Sequence, residues 1–453
     1  MRHLIFLLLI STACYSQPKE YNANQVAEDV NFLRDQLERF HPGLYRYTPK
    51  SQMNAYFEEA AQTSDGLEGI ELYARITFLL SQVKCGHTRT AMPDIMRRDN
   101  RANSRFPPFQ IQLLGAEPFI SASLDSQLPK GAKLLSINGK SYQEIEATIF
   151  QHLAADGFIE SGKRRMISWF FPFYYQLYIE SSSDPVNIEY QTASGENVQL
   201  SVNRVRDKAI EVLSSYEDRK AALQLNHLDD HSYMRISTFG QQSLSNAGLD
   251  YELFLEQSFR SIKNEGVENL VLDLRGNGGG RDNYGALLVS YLLADSFGYF
   301  DNIEVTDEYS GYGGVVNRKG KKYVTSHQGL NIWEPQSNAF QGNLYVLTDG
   351  GSFSTCADVA TVLHHNDRGV FIGQETGGGY DGNTSGNTKT ITLPNSGIRV
   401  FVPLWKYTTA NVGHPYPARG VIPDHEIIPT WDQFSNKEDV VLNKALDLIR
   451  NKK

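Results

Sequence analysis

The segment LTDGGSFSTCADVATVLHH, residues 347–365, places hydroxyl side chains between a hydrophobic run and a helical pattern. These hydroxyls belong to Ser352, Ser354 and Thr355, which follow two glycines. A serine at the N-cap of a helix accepts a hydrogen bond from a backbone amide and stabilises the helix by about 1 kcal/mol. The same position suits a nucleophile, because free amides and the helix dipole stabilise a developing oxyanion. This segment alone leaves helix capping and nucleophilic catalysis as alternatives.

Two further glycine-rich loops follow hydrophobic runs, DLRGNGGG at 273–280 and GQETGGGYDGN at 373–383. The first of them lacks both the GxGxxG spacing and the lysine of a P-loop, which disfavours phosphate binding. Its glycines could instead expose backbone amides to a tetrahedral oxyanion, a contact worth about 3 kcal/mol per donor in hydrolases. We interpret Asp273 and Arg275 in this loop as an ion pair that braces it, and Asp424 in the GVIPD turn as a bracing residue too.

The pattern from about residue 229 onward predicts alternating strands and helices. Three nearly continuous apolar runs, NLVLDLRG, NLYVLTD and GVFIGQ, are typical of buried parallel strands, and helical patterns separate them. Functional residues in such sheets tend to lie at the carboxyl ends of the strands. The sequence therefore predicts a layered α/β domain with glycine-rich loops after its strands.

In the earlier part of the chain, apolar residues recur with different spacings. Apolar residues recur at helical spacing over 24–82, whereas from about residue 106 they alternate like strands, with turns at Gly115, Asn138–Gly139 and Ser194–Gly195. The length of 453 residues fits about three domains. We predict an N-terminal helical domain at 17–98, a β domain at 104–205, an α/β core at 206–435 and a C-terminal helix at 436–453.

Residues 1–16 resemble a secretory signal peptide. A basic start is followed by the apolar run Leu4–Ile10 and then by small residues, and the run is too short to span a bilayer. Cleavage after Ser16 is one alternative, and lipid attachment at Cys14 is the other. Both predict an exported protein, periplasmic or extracellular, with no transmembrane segment after signal cleavage.

Composition excludes several classes of partner. Hydrophobic residues make up 40% of the chain, and the net charge of −9 comes with no basic run interleaved with aromatics, so we expect no nucleic-acid partner. The histidines lack HExxH spacing, and only two isolated cysteines, Cys85 and Cys356, follow the leader. We therefore expect no metal and no cofactor.

Several motifs together resemble the tail-specific protease family, which includes the C-terminal processing peptidases and the tricorn core protease. NLVLDLRGNGGG, GGSFSTCADV, GVFIGQETGGG and GVIPDHEI occur in the order and spacing of that family, and LPKGAKLLSINGK is similar to part of its PDZ-like domain. LLSQVKCGHTRT resembles the segment that supplies histidine in the tricorn-like branch. The resemblance implies a multidomain α/β fold: a helical N-terminal domain, a PDZ-like β domain and a layered, crotonase-like ββα catalytic core.

The resemblance also assigns roles to residues. It implies that Ser354 is the nucleophile and that His87 is the general base, whose imidazole can take the serine proton at neutral pH. Gly279 and the amide of Thr355 match the positions of the oxyanion donors. His364 and His365 lie late in the helix after Ser354, where a favourable interaction with the helix end is the better explanation.

The sequence departs from the family at three places. The lysine of the processing peptidases is absent, because residues 376–379 read TGGG, which disfavours a Ser–Lys mechanism. The serine and the glutamate that orient the histidine in the tricorn core are absent too, since Gly86 and the stretch YPARGVIPD stand there. Asp358 and Glu375 are possible substitutes, although a carboxylate at a helix end or in a loop is more often structural.

The sequence-based hypothesis is a serine-type endopeptidase that hydrolyses unstructured or extended polypeptides through an acyl-enzyme on Ser354. The alternative is a non-catalytic peptide- or lipid-binding protein on the same fold. An esterase would carry a GxSxG motif, which SFSTC around Ser354 does not match.

The two cysteines permit one more hypothesis. Cys85 precedes His87 by two residues, and Cys356 follows Ser354 by two. A Ser–His contact could therefore bring the cysteines within the Cα distance that a disulfide needs. Two separately buried thiols are the alternative.

Overall fold

The computed structural model describes residues 20–180, 184–213, 222–311, 313–410, 413 and 415–451. The predicted signal peptide at 1–16 and Cys14 lie outside these residues and stay predictions. Among the described helices, none has the length and apolar character needed to cross a membrane.

The N-terminal region is mainly helical, as its periodicity predicts. Helix α1 starts with a capping box, in which the Asn22 side chain accepts the amide of Gln25 while the Gln25 side chain accepts the amide of Asn22. Two backbone donors that a helix start leaves unpaired are satisfied in this way. The elements are β1 (Glu20–Tyr21), α1 (Ala23–Phe40), α2 (Lys50–Ala61), β2 (Leu67–Glu68), α3 (Gly69–Gln82), β3 (Arg89–Ala91) and α4 (Asp94–Asn103).

The middle region forms an antiparallel sheet in the order β4-β5-β6-β8-β9, with β7 paired to β6. The predicted turns at Gly115, Asn138–Gly139 and Gly195 have positive φ angles, which suit glycine and asparagine. Helix α6 is kinked at Phe170 and contains Pro172. Proline has no backbone N–H to donate within a helix, which accounts for the kink. The elements are β4 (Phe109–Leu114), β5 (Glu117–Ser123), β6 (Lys133–Ile137), β7 (Lys140–Ser141), α5 (Tyr142–Phe150), α6 (Ser161–Tyr178), β8 (Val186–Gln191), β9 (Asn197–Val202) and α7 (Asp207–Ile210).

The third region is built on a sheet in the order β10-β11-β12-β18-β19-β24, in which only β10 pairs antiparallel. The three predicted apolar runs form β12, β18 and β19, the adjacent central strands. The first part of this region contains β10 (Leu223–His227), β11 (Ser232–Ile236), α8 (Gln241–Asn246), α9 (Tyr251–Asn264), β12 (Asn269–Asp273), α10 (Asp282–Ser290), β13 (Phe297–Gly298), β14 (Phe300–Val305), β15 (Val315–Arg318), β16 (Lys321–Val324), β17 (Ile332–Trp333) and β18 (Asn343–Thr348). The second part contains α11 (Thr355–His365), β19 (Val370–Gly373), β20 (Thr384–Ser385), β21 (Lys389–Thr392), β22 (Arg399–Val402), β23 (Trp405–Thr409), β24 (His425–Glu426), α12 (Trp431–Ser435) and α13 (Val440–Asn451).

The late hairpin β21–β22 completes the N-terminal region. Strand β22 pairs with β3, and Ile391, Val400 and Val402 are buried in the same hydrophobic cluster as α1, α2 and α3. The strand that follows His87 is therefore anchored by residues from the far end of the chain. A separate sheet in the order β15-β16-β14-β23-β20 lies outside the sequence predictions.

Helix α12 packs against the β region. The indole of Trp431 stacks on Phe119 at 5.5 Å between ring centroids, and it lies where a side chain at Gly131 would point. The turn at Pro129–Gly131, where the family resemblance puts part of a carboxylate-binding loop, is covered by this tryptophan.

Candidate active site

Ser354 lies between β18 and α11 with φ 55° and ψ −134°. A residue with a Cβ rarely adopts a positive φ, and such strain costs on the order of 1–3 kcal/mol. Although Ser354 stands at the N-cap of α11, its side chain forms no capping hydrogen bond. Capping, one of the two alternatives for this hydroxyl, is therefore wrong for the described conformation.

The Ser354 hydroxyl contacts His87. The Nε2 atom of His87 is 3.1 Å from Oγ of Ser354, and the imidazole stacks on the Phe353 ring at 4.5 Å between centroids. A Cβ at Gly86 would lie 2.9 Å from the same phenyl ring, so the close approach requires glycine there. The structure thus brings together the nucleophile and base that the family resemblance implies.

The environment of His87 favours a neutral imidazole. Burial lowers its pKa to about 3, with a smaller contribution in the same direction from the positive charge of Arg89. A neutral Nε2 can accept the serine proton across the neutral pH range. Its other nitrogen, Nδ1, is buried and has no hydrogen-bond partner among the described residues.

The two proposed orienting carboxylates do not meet that nitrogen. Both oxygens of Asp358 are 3.3 Å from Nδ2 of Asn383, and burial raises the pKa of Asp358 well above its usual range. Glu375 instead receives two hydrogen bonds from Arg419, at 2.8 and 2.7 Å, and one from the amide of Gly420. Helix and loop bracing account for both carboxylates, so neither hypothesis for an orienting group is supported by the geometry.

Gly279 and Thr355 flank the nucleophile as expected. Gly279 has φ +90°, and its amide donates to Oδ1 of Asn277 at 2.9 Å, so this donor is already occupied. Thr355 is the first residue of α11, where helix geometry provides no intrahelical partner for the amide. The Thr355 hydroxyl donates to Asp282, which leaves the amide as the group that can serve an oxyanion.

Replacement of Gly279 by alanine is expected to lower both stability and any activity of Ser354. A Cβ there would lie 2.7 Å from the Phe353 carbonyl oxygen and 2.7 Å from Cβ of Ser354, and the positive φ disfavours alanine as well. We expect a loss of turnover of at least about tenfold together with a lower Tm, because strained backbone of this kind costs on the order of 1–3 kcal/mol. Calorimetry and a peptide-cleavage assay would measure both quantities.

Gly278→Ala provides the matched control, because a Cβ at Gly278 meets open space and that residue has no positive φ. Equal effects of the two substitutions would contradict the close-contact explanation.

Other candidate residues have structural partners. The buried hydroxyl of Ser352 donates to the Leu274 carbonyl at 2.9 Å, and His364 is bonded to Tyr380 at 3.0 Å. The remaining bracing interactions also form: Asp273 pairs with Arg235 and Arg275, Arg275 with Asp439, and Asp424 accepts the amide of Phe371. Although burial raises the Asp273 pKa, Arg275, Arg235 and the Tyr233 hydroxyl together lower it to about 2.

The disulfide hypothesis is wrong, because Cys85 and Cys356 are free, buried thiols. The Sγ atom of Cys85 is 3.2 Å from the Thr384 carbonyl, and that of Cys356 is 3.6 Å from the Leu274 carbonyl. The two thiols therefore point into different parts of the core, although each lies two residues from a member of the Ser–His pair. Within the described part of the chain, no cluster of His, Cys, Asp or Glu side chains could hold a metal ion.

Two residues beside the Ser–His contact were not identified from the sequence. Phe353 supports the imidazole face, and buried Asp156 accepts the amide of Gly86 at 2.8 Å. A phenylalanine before a serine carries no distinctive signal, and Asp156-Gly157 has the composition of an ordinary turn. Neither residue could be connected with His87 without the three-dimensional contacts.

The fold and the site together define a class: a multidomain α/β protein that presents a Ser–His pair at a helix N-terminus, as serine hydrolases do. Residues 230–427 match the model of peptidase family S41. This match covers 198 of the 453 residues, and over that stretch the chain is similar to the family.

The sequence relatives are processing peptidases. The chain is 29% identical over 192 residues to carboxyl-terminal-processing peptidase 3, chloroplastic, of Arabidopsis thaliana, which covers 42% of this chain and 30% of that protein. It is 27% identical over 200 residues to C-terminal processing peptidase, chloroplastic, of Tetradesmus obliquus, covering 44% of this chain and 35% of the relative. The chain thus spans about a third of the length of these relatives.

Solved structures match over nearly the whole chain. Mature CPAF superposes with a TM-score of 0.61 at 13% identity, covering 95% of this chain and 98% of that one. Mature CPAF complexed with lactacystin gives a TM-score of 0.64 at 14% identity, with 95% and 99% covered. At this identity the likeness establishes the mixed α/β multidomain fold.

Proposed function

We propose that this protein is a serine-type endopeptidase that hydrolyses unstructured or extended polypeptides through an acyl-enzyme on Ser354, with His87 as general base. The observation that carries this proposal is the 3.1 Å contact between Nε2 of His87 and Oγ of Ser354. The lowered pKa of His87 keeps the resting imidazole neutral, which is the form that can accept the serine proton. The absence of a capping bond supports it as well, since the hydroxyl is left for chemistry.

In the proposed reaction, Oγ of Ser354 attacks the carbonyl carbon of a peptide bond while Nε2 of His87 takes its proton. The carbonyl oxygen becomes an oxyanion beside the amide of Thr355 and the N-terminus of α11. The carbon–nitrogen bond then breaks, and the leaving amine receives the proton from His87. A water molecule attacks the acyl-enzyme by the same proton route and restores the serine.

An extended polypeptide is the substrate class that the surroundings of His87 support best. Strand β3 begins two residues after His87, and among the described strands it is the last one of the sheet β21-β22-β3. A strand at a sheet edge can pair with an extended peptide through backbone hydrogen bonds. The turn at Pro129–Gly131 offers less room, because Trp431 covers it. We therefore propose that substrate pairs beside β3.

Two further assignments belong to this proposal. The six-stranded antiparallel sheet with α5 supports a PDZ-like identity for the β region, and the mostly parallel sheet with its flanking helices supports a crotonase-like core. Export to the periplasm or beyond is proposed from the leader pattern at residues 1–16.

A fluorophosphonate probe tests the proposed function directly. We expect folded protein to be labelled once, at Ser354, because the probe requires a serine whose proton is removed by a neighbouring base. Peptide mass spectrometry would locate the label, and Ser354→Ala would abolish it. Unfolded protein serves as the control for nonspecific reaction. Folded protein that remains unlabelled would contradict the proposal and favour the alternative of a non-catalytic peptide- or lipid-binding protein.

A further inference from the structure

We propose that Asp156 is a positioning residue of the Ser354–His87 pair, whose carboxylate accepts a hydrogen bond from Nδ1 of His87 during acyl transfer. This inference rests on the proposed function, and it supplies the orienting group that neither Asp358 nor Glu375 provides.

The first observation is a pair of buried polar atoms without partners. Nδ1 of His87 and Oδ2 of Asp156 are both inaccessible to solvent, and neither has a hydrogen-bond partner among the described residues. Asp156 as a whole is 2% exposed. An unsatisfied buried donor or acceptor is costly, so two complementary ones in one neighbourhood indicate a contact that forms at another stage of the reaction.

The second observation is that Asp156 is already attached to the His87 loop. Its Oδ1 accepts the amide of Gly86 at 2.8 Å, one residue before the base. The next residue, Gly157, donates its amide to the Lys84 carbonyl at 3.0 Å. Two hydrogen bonds thus join the loop between α5 and α6 to the segment that carries His87.

The carboxylate also reaches the glycine-rich loop next to the nucleophile. A Cβ at Gly379 would lie 3.6 Å from Cβ of Asp156, and the Gly379 backbone acts to lower the pKa of this carboxyl group. In the same loop a Cβ at Gly378 would lie 3.1 Å from the amide nitrogen of Ser354. Asp156 therefore connects the loop of the base with a loop that touches the nucleophile, which is where a positioning group has its largest effect.

The chemistry requires a movement that brings Oδ2 of Asp156 to Nδ1 of His87, and no additional reactant. When Nε2 of His87 takes the proton of Ser354, the ring becomes an imidazolium and Nδ1–H becomes a stronger donor. Oδ2 of Asp156 accepts that hydrogen bond without taking the proton, and the bond weakens again when His87 gives its proton to the leaving amine. Catalytic hydrogen bonds are often long in unliganded enzymes and shorten when substrate binds.

The surroundings of Asp156 predict the pH at which it acts. Burial raises its pKa to about 6, whereas Arg46 and the two backbone donors oppose that rise. Its other ionisable neighbours are Tyr47 and Cys85, whose pKa values are raised, and Asp358. A carboxylate is present above about pH 6 and is lost as pH falls through that value. His87 is neutral over this range, so acidic loss of activity near pH 6 is expected to come from Asp156.

The test compares Asp156→Asn with wild type in kcat/KM against pH. Asparagine keeps an acceptor for Gly86 but cannot pair with an imidazolium, so we expect a loss of about tenfold at neutral pH, as for a charge-assisted bond replaced by a neutral one. We also expect the acid limb near pH 6 to disappear. An acid limb that survives in the variant would belong to another group such as Asp358 and would overturn the inference.

Asp29→Asn is the matched control for loss of a buried carboxylate. Asp29 in α1 is fully buried and accepts the amides of Asn395 and Ser396 at 2.8 and 2.9 Å. The Asp29→Asn substitution is expected to change Tm and to leave the acid limb of the pH profile in place. If Asp29→Asn removes the limb as Asp156→Asn does, the effect is structural and the inference is wrong.

A second readout does not depend on turnover. Nitrogen NMR of labelled histidine in wild-type protein that carries a peptide boronate on Ser354, with His87 assigned by substitution among the 11 histidines, reports on Nδ1 while the tetrahedral adduct holds His87 as an imidazolium. We expect the Nδ1 signal of a strongly hydrogen-bonded imidazolium with Asp156 present and a shifted signal with Asp156→Asn. Unchanged His87 signals would overturn the inference, whereas failure of fluorophosphonate labelling in wild type would overturn the proposed function instead.

Discussion

Replacement of Ser354 by alanine is expected to reduce peptide cleavage by at least about a thousandfold, because removal of a nucleophile eliminates the covalent route altogether. Among the described residues, the Ser354 hydroxyl is the one hydrogen-bond partner of Nε2 of His87, at 3.1 Å. The measurement is kcat/KM on an unstructured peptide library, with Tm recorded for each variant. The fold should survive, since the side chain makes no capping bond.

Ser352→Ala is the control for this experiment, because it removes a hydroxyl from the same segment. The Ser352 hydroxyl is buried, donates to Leu274 and accepts the amide of Asp349. Its loss should lower the free energy of unfolding by about 1–3 kcal/mol, since buried partners are left unsatisfied, and should cost far less activity. Equal losses of activity at the two serines would contradict the assignment of Ser354.

Replacement of His87 by alanine is expected to match the loss seen with Ser354→Ala. A serine hydroxyl is a weak nucleophile unless a neighbouring base removes its proton, and His87 is that neighbour. The double variant should be no worse than either single one, because members of one catalytic unit act together and their effects do not add.

The same assay on all three variants would measure this non-additivity. Residual activity above about a tenth of wild type in His87→Ala would remove histidine from the mechanism, given that general base catalysis contributes about a hundredfold or more. A double variant clearly worse than both single variants would indicate that the two residues act separately.

Much of the core could be predicted from the sequence because its strands are buried on both faces. Runs such as NLVLDLRG have few interpretations other than a parallel strand, and they form β12, β18 and β19. Helices α1, α3, α9 and α11 follow from helical spacing of apolar residues. Helix α10 ends at Ser290, before the apolar continuation YLLA, because those residues turn into the loop that leads to β13.

The pairing of Ser354 with His87 was implied by family resemblance, while the orienting group could not be. Asp358 and Glu375 were candidates on chain position alone, and a chain position does not reveal that Asn383 and Arg419 already occupy them. Asp156 lies 198 residues before Ser354 in sequence numbering, and only folding brings its carboxylate to Gly86 and Gly379. The disulfide hypothesis failed for the same reason. Although Ser354 and His87 are in contact, the thiols of Cys356 and Cys85 beside them in sequence are not bonded to each other.

The pairing of β3 with β22 also sets the earliest time during synthesis at which the fold around His87 can be completed. The hydroxyl of Thr90 in β3 bonds the carbonyl of Arg399, a partner 309 residues later in the chain. A ribosome adds about 5–20 residues per second, so β3 waits roughly 15–60 s for its partner. During that interval the segment carrying His87 lacks its neighbouring strand, and the nucleophile itself has yet to be made for most of it. Each copy of the proposed peptidase therefore lacks an assembled Ser–His contact while its own chain is still being synthesised.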